Sequence, residues 1–320
     1  MGDTTTIEWT DRTWNPVSGC SKISAGCDNC YAETIAERFR GTAAFPHGFD
    51  VRIRDDKVNA PLTWRKPAKV FVNSMGDLFH AEVPQLWIAN IVAVMAAARR
   101  HTFQLLTKRH ARMRTLLNDP NFVDQVRSMA HGKGLPANDW TWPLPNLWLG
   151  VSVENQPWAD IRIPALLDTP AAIRWISAEP LLGPIDLKEA VRTMGSERGH
   201  GLTASYVHAG GCCDRQRHGI NWVVAGGESG RGARPAHPDW FRSLRDQCAQ
   251  ANVPFLFKQW GEYKPTGYLV IGGTTKGALL LGDPVDDLGH RVEIARIGKK
   301  AAGRELDGRI HDDYPETENR

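Results

Sequence analysis

The sequence predicts an α/β protein built as a complete or partial (β/α) barrel of six to seven parallel strands. Three observations lead there. Short apolar, β-rich runs alternate with helical periodicity along most of the chain, the rhythm of parallel units joined by right-handed crossovers. Most of these runs end in a polar or charged cluster, as the carboxyl ends of barrel strands do. A chain of 320 residues, 42% apolar and 23% charged, is also long enough to enclose a large core.

The first strand is expected over 14–17. A cysteine-bearing loop follows, and then a helix marked by Ala32, Ile35, Ala36 and Phe39 at helical spacing. A strand over 70–73 leads to a helix that Pro84 opens and that runs to about residue 100, with Trp87, Ile91 and Met95 on one face. The strand at 103–107 precedes a helix at 108–117, and the strand at 147–151 precedes one at 158–167. Strands at 173–177, 222–225 and 254–257 complete the series, with a helix over 238–251 before the last. Two stretches, about 118–146 and 184–220, break the rhythm with turn-forming residues and read as insertions. Residues 1–262 are thus assigned to the barrel. Residues 263–320 are assigned to a small appendage, hairpin-like, with a frayed acidic tail.

The polar clusters at the strand ends supply the candidate site. They bring Asp77, Lys108, Glu154, Glu179, Glu228 and Lys258 to one mouth, which describes a pocket for a polar ligand. Cys20, Cys27 and Cys30 fall within eleven residues, and in a reducing compartment such a cluster reads as metal-binding or redox-active. A closed zinc site wants four protein ligands. An iron–sulfur cluster held by three thiolates leaves one iron open. Zinc is the competing reading, with His47, His80 or Cys212 as its fourth ligand. Cys212 and Cys213, with His208 and His218, are a weaker second metal candidate, and Cys248 sits on a helix face with Phe241 and Leu244 as buried filler.

A net charge of +3 names no partner. Trp64-Arg65-Lys66, and the run Arg99-Arg100 with Lys108, Arg109, His110, Arg112 and Arg114, combine stacking surface and positive charge as nucleic-acid sites do, although solvated helix faces are the plainer account. No basic-then-apolar leader or membrane-length apolar run is seen, so the expectation is a cytoplasmic protein without a membrane partner.

Several motifs carry a resemblance. Ile7-Glu8-Trp9-Thr10, Thr13-Trp14-Asn15-Pro16-Val17-Ser18-Gly19-Cys20 and Cys27-Asp28-Asn29-Cys30-Tyr31-Ala32-Glu33 are similar to the opening of the phage gp thirty-seven/gp sixty-eight family of phages and bacteria. Val72 to His80, Gly150 to Glu154, Ser177 to Gly183, Gly226 to Gly230 and Phe257 to Gly261 continue it. The three-cysteine loop ahead of the first helix also resembles the radical S-adenosylmethionine (SAM) superfamily, with spacings of six and two in place of three and two.

That second resemblance implies a [4Fe–4S] cluster on Cys20, Cys27 and Cys30, with SAM on the open iron. It further implies a 5′-deoxyadenosyl radical acting on an unknown polar substrate, such as a nucleic acid or modified nucleobase, and an electron donor such as flavodoxin or ferredoxin. By the same resemblance Tyr31 would shield the cluster, Ser74 and Asp77 would receive the SAM amino group, and Ser152 and Glu154 would take ribose hydroxyls. Gly226, Gly227 and Glu228 would make further cofactor or substrate contacts, and Lys108, Glu179 and Lys258 would face substrate. The alternative is a zinc-stabilised, non-catalytic protein that binds nucleic acid or a protein partner.

Overall fold

The computed structural model describes residues 5–192, 219–269, 278–283, 285 and 289–316. Its strands are β1 (Arg12–Trp14), β2 (Val17–Ser18), β3 (Arg52–Ile53), β4 (Lys69–Val72), β5 (Thr102–Thr107), β6 (Leu147–Ser152), β7 (Ile173–Ala178), β8 (Trp222–Gly226), β9 (Phe255–Gln259), β10 (Tyr263–Leu269), β11 (Ala278–Leu281), β12 (Arg291–Arg296), β13 (Glu305–Leu306) and β14 (Arg309–Ile310). Its helices are α1 (Tyr31–Arg38), α2 (Asp55–Val58), α3 (Ala60–Thr63), α4 (Gln85–Ala97), α5 (His110–Asn118), α6 (Pro120–Gly132), α7 (Gln156–Leu167), α8 (Leu187–Arg192), α9 (Pro238–Gln250) and α10 (Lys299–Ala302).

Seven parallel strands form one sheet in the order β1-β4-β5-β6-β7-β8-β9. The expected partial β/α barrel is therefore present, and it is open, because β1 and β9 are its two edges. Alternation along each strand sorts the side chains into two cores. Val70, Val72, Phe103, Leu105, Leu149, Val151, Ile176, Val223 and Phe257 pack with Ile88, Val92 and Met95 of α4 and Phe241 of α9 on the helical side. Phe71, Trp148, Trp175, Trp222, Val224 and Leu256 face inward and join Trp9 in a second cluster that includes no helix.

That inner cluster is an aromatic plug. Trp9 lies 4.6 Å from Phe71 and 5.2 Å from Trp175 by ring centroids, and Trp222 stacks on Tyr314 at 5.3 Å. Gly150 makes room for it, since a Cβ there would stand 2.4 Å from the Trp175 ring. The side chains that face inward beyond this plug lie at the carboxyl ends of the strands.

Two expectations are corrected. The stretch 118–146, read as turns, contains the thirteen-residue helix α6. The Asn-Asp-Pro signal is its start: the Asp119 carboxylate accepts the Asn121 N–H, Pro120 follows the cap, and Phe122, Val126 and Ala130 repeat every four residues on its buried face. Of the tail expected to fray, residues 311–314 are held in place. Phe257 N–H donates to His311 O and Asp313 N–H to Phe255 O along the β9 edge, while the Tyr314 hydroxyl donates to Glu8 O. The appendage is a three-stranded antiparallel sheet, β10-β12-β11, followed by the β13–β14 hairpin. The second expected insertion, with Cys212, Cys213, His208 and His218, falls mostly outside the described residues.

Candidate functional site

The chain leaves β4 through Asn73, which adopts a left-handed φ of 59°, a conformation asparagine tolerates. Its N–H donates to Trp14 O and its side-chain oxygen accepts the Val17 N–H, so the end of β4 fixes the start of the cysteine loop. Gly19 N–H donates to Met75 O at 2.8 Å, and a Cβ on Gly19, whose φ is +85°, would meet Asp50 O at 2.1 Å. A glycine is required there for both reasons.

Beyond Gly19 the loop is pinned by side chains from other strand ends. Arg109, after β5, donates through Nη2 to the Ser21 hydroxyl at 2.8 Å, to Ser21 O at 3.1 Å and to Cys20 Sγ at 3.9 Å. Glu154, after β6 and wholly buried, accepts the Ser24 hydroxyl at 2.6 Å, and Gly26 sits directly on its carboxylate. Its other oxygen accepts Arg162 Nη1 at 3.0 Å, with the Arg162 guanidinium 4.0 Å over the Trp158 ring. After β8, Glu228 accepts Arg234 Nε and Nη2 at 2.8 and 2.6 Å and Asn29 Nδ2 at 3.1 Å. Arg234 reaches on to Asp28 Oδ2 at 3.1 Å and Ala25 O at 2.8 Å. Burial works to raise the Glu228 pKa, but the Arg234 guanidinium and N–H and the Asn29 amide outweigh it and hold the carboxyl below its usual value.

The cysteine loop therefore spans the mouth of the open barrel, stapled to four strand ends. Cys20, Cys27 and Cys30 are free and half-buried on it. Burial, then the charge of Asp77, pushes the Cys20 thiol pKa up against the opposing Arg109.

The remaining expected residues sit on the same rim. Asp77 caps Phe79 N–H at 2.9 Å, accepts the Thr107 hydroxyl at 2.8 Å and the Lys108 N–H at 3.1 Å, and so locks β4 to β5. Lys108 Nζ stands 3.8 Å from Glu154. Ser152 donates to Glu179 O at 3.3 Å, and Ser74 donates to Asn15 Oδ1 at 3.2 Å. Tyr31 is 54% exposed, and its hydroxyl donates to Ser74 O at 2.6 Å. Burial, with Cys30 and Glu179 nearby, pushes that phenol's pKa up. Glu179 accepts Lys258 Nζ at 2.9 Å on both oxygens and Gln259 Nε2 at 3.2 Å. Gly227 has no room for a side chain, since a Cβ would lie 1.9 Å from Trp260 O, and at Gly226 a Cβ would press on the Glu179 carboxyl carbon at 3.2 Å.

Ser24, Asn29, Arg109, Arg162, Arg234 and Gln259 are the site residues that sequence reasoning did not select. Arg109 and Gln259 lie inside the polar strand-end clusters, and Arg162 stands out as a charge between Ile161 and Ile163. Arg234 has no local signal. The basic run also divides: Arg100 donates to Trp64 O at the amino end of β5, whereas Arg109 and Arg112 lie at its carboxyl end, roughly 20 Å away for a six-residue strand.

Among the described residues no group of His, Cys, Asp or Glu is gathered so as to hold a single metal ion. His80, an expected zinc ligand, uses both ring nitrogens: Nδ1 accepts the Glu82 N–H at 3.2 Å, and Nε2 pairs with the Ser21 hydroxyl at 2.8 Å. With an N–H already directed at Cys20 Sγ and all three cysteines half-buried on one loop, the residues suit three thiolates.

A family model described as "Protein of unknown function (DUF5131)" matches residues 4–315, and the chain belongs to that family. No curated protein matches it in sequence. Among solved structures, a cysteine-to-serine mutant of spore photoproduct lyase is similar at a TM-score of 0.42 and 10% identity, covering 91% of this chain and 71% of that one. Spore photoproduct lyase complexed with dinucleoside spore photoproduct is similar at 0.40 and 9%, covering 90% and 71%. A double mutant with bound AdoMet and dinucleoside spore photoproduct is similar at 0.39 and 9%, covering 90% and 71%. No helix among the described residues is long and apolar enough to cross a membrane.

Proposed function

We propose that this member of the family is an iron–sulfur enzyme of the radical SAM type. The observation that supports the reading is the three-cysteine loop fixed across the polar mouth of an open β/α barrel by Arg109, Glu154, Glu228 and Arg234. In this reading Cys20, Cys27 and Cys30 would hold a [4Fe–4S] cluster. Such a cluster with SAM supplies one-electron cleavage of the sulfonium carbon–sulfur bond and a 5′-deoxyadenosyl radical for hydrogen abstraction.

The chain's own residues would position and shield that chemistry. Arg109 gives Cys20 sulfur an N–H, and Asp77 and Glu154, their oxygens engaged by Thr107, Ser24 and Arg162, hold loops in place. Tyr31, Ser74, Ser152 and the backbone of Gly226 and Gly227 would line the cofactor, and Glu179, Lys108 and Lys258 would face a polar substrate, such as a nucleic acid or modified nucleobase. The tryptophan plug closes the barrel below and keeps water from that side. An external electron donor, a flavodoxin or ferredoxin, would serve the cluster.

Anaerobic purification tests the reading. Roughly four iron and four acid-labile sulfide per chain are expected, with 5′-deoxyadenosine released on reduction in the presence of SAM and both lost in Cys27→Ala. One zinc per chain and no iron after anaerobic reconstitution overturns it in favour of the zinc-stabilised binding protein.

A further inference from the structure

We infer that Glu179, Lys258 and Gln259 form a recognition site for a planar amide or imide edge, an N–H beside a C=O, of the kind that a lactam or imide nucleobase presents. The inference begins with a register slip. Ala225 of β8 pairs with Phe257 of β9, but the next residue, Gly226, pairs with Gln259, so Lys258 is an extra residue in its strand. In a regular strand Lys258 and Gln259 would face opposite sides of the sheet. The bulge turns both toward Glu179, the re-aiming that bulges near active sites perform.

What remains free there is specific. Gln259 is 4% exposed, and its amide group touches Glu179 and Ser229 Oγ, each at 3.2 Å. A carboxylate only accepts, so the atom against Glu179 is the nitrogen, and the carbonyl oxygen points elsewhere. That oxygen is buried and has no hydrogen-bond partner, a state that native structures seldom keep without reason. Lys258 spends two N–H groups on Glu179 and keeps the third; its side chain is 15% exposed, so a ligand in the mouth can reach it. Lys258 Nζ is thus a donor that a ligand can reach, and Gln259 Oε1 beside it is an acceptor that the chain leaves unpartnered.

Charge narrows the ligand further. Glu179 and Lys258 cancel, so a phosphate meets the carboxylate, a cation meets the ammonium, and a neutral ligand is opposed by neither. A neutral group whose N–H reaches Gln259 and whose C=O accepts from Lys258 completes the set without opening the ion pair. The inference rests on the proposed function only in calling this ligand the substrate.

Uridine, N3-methyluridine and L-methionine, titrated separately into the purified protein and followed by ligand-observed NMR, test it. Uridine is expected to bind; N3-methylation, Gln259→Leu and Lys258→Met are each expected to weaken binding by about tenfold, the worth of one hydrogen bond. Equal binding of uridine and its N3-methyl analogue by the unaltered protein overturns the inference whether or not the variants fold. No uridine binding overturns it, as does binding of L-methionine alone. Iron and sulfide analysis of the same preparation separates the two proposals: a full cluster without uridine discrimination sinks this one, and discrimination without iron sinks the cluster.

Discussion

Arg234 holds two loops together with one guanidinium. It covers both oxygens of Glu228, which is 6% exposed, and continues to Asp28 and Ala25 O on the cysteine loop. Arg234→Met leaves that carboxylate buried without its main partner. The expected cost is about 2 kcal/mol, below the range for fully buried pairs because the arginine is about a third exposed. Urea unfolding checks this in a double-mutant cycle, where Glu228→Gln added to Arg234→Met should recover part of the loss. The contact joins residues 206 apart in sequence, and for that reason no local pattern announces it. The cysteines, by contrast, were legible at once, since their spacing lies within one loop.

At the scale of the element, the β13–β14 hairpin shows a turn whose residue serves twice. Asp307 and Gly308 have φ of 53° and 74°, the left-handed pair that a two-residue hairpin requires. The Asp307 carboxylate also accepts Arg242 Nη2 at 2.7 Å and Arg245 Nη1 at 2.6 Å, fastening the hairpin to α9. Arg242 foremost, then Arg245, outweigh partial burial and lower its pKa to about 2. A folded pKa below the unfolded value of about 3.9 stabilises the protein above that value, and the contribution is lost as pH falls toward 2. Asp307→Asn, which keeps the turn, should lower stability at neutral pH by no more than about 1 kcal/mol, given its exposure. Its thermal midpoint should converge with that of the parent protein near the acid end. The Asp-Gly signal is readable in the sequence, but the arginines that tie the hairpin to α9 belong to a helix more than sixty residues away.

Across the whole molecule, segments more than 300 residues apart meet. Tyr314 stacks on Trp222, takes the Lys69 ammonium 3.8 Å over its ring and donates to Glu8 O, while Trp222 Nε1 donates to Asp313 O at 2.8 Å. Residues 311–313 meanwhile cover the β9 edge, which would otherwise be exposed for pairing. Tyr314→Ala should lower stability by about 2 kcal/mol, less than a fully buried aromatic costs because Tyr314 is only half-buried. Thermal unfolding and tryptophan fluorescence would register it together, since the ring packs against the plug.

The sequence by itself determined the β/α order, six to seven strands with the first displaced to 14–17 from its place at Arg12–Trp14, the helices α1, α4, α5, α7 and α9 that local periodicity marks, and a mouth carrying thiols and charges. These are written locally, in alternation, helical spacing and the residues that follow each strand. It missed α6, because the Asn-Asp-Pro that caps the helix also spells a turn, and it missed the contacts of residues 311–314, whose partners lie near the start and in the later part of the chain. Tertiary structure alone decided that the barrel stays open, that Lys258 and Gln259 share a face, and that Arg109, Glu154 and Arg234 hold the cysteine loop. Each of those depends on strand register or on contacts between distant segments, and neither is encoded in any short window of residues.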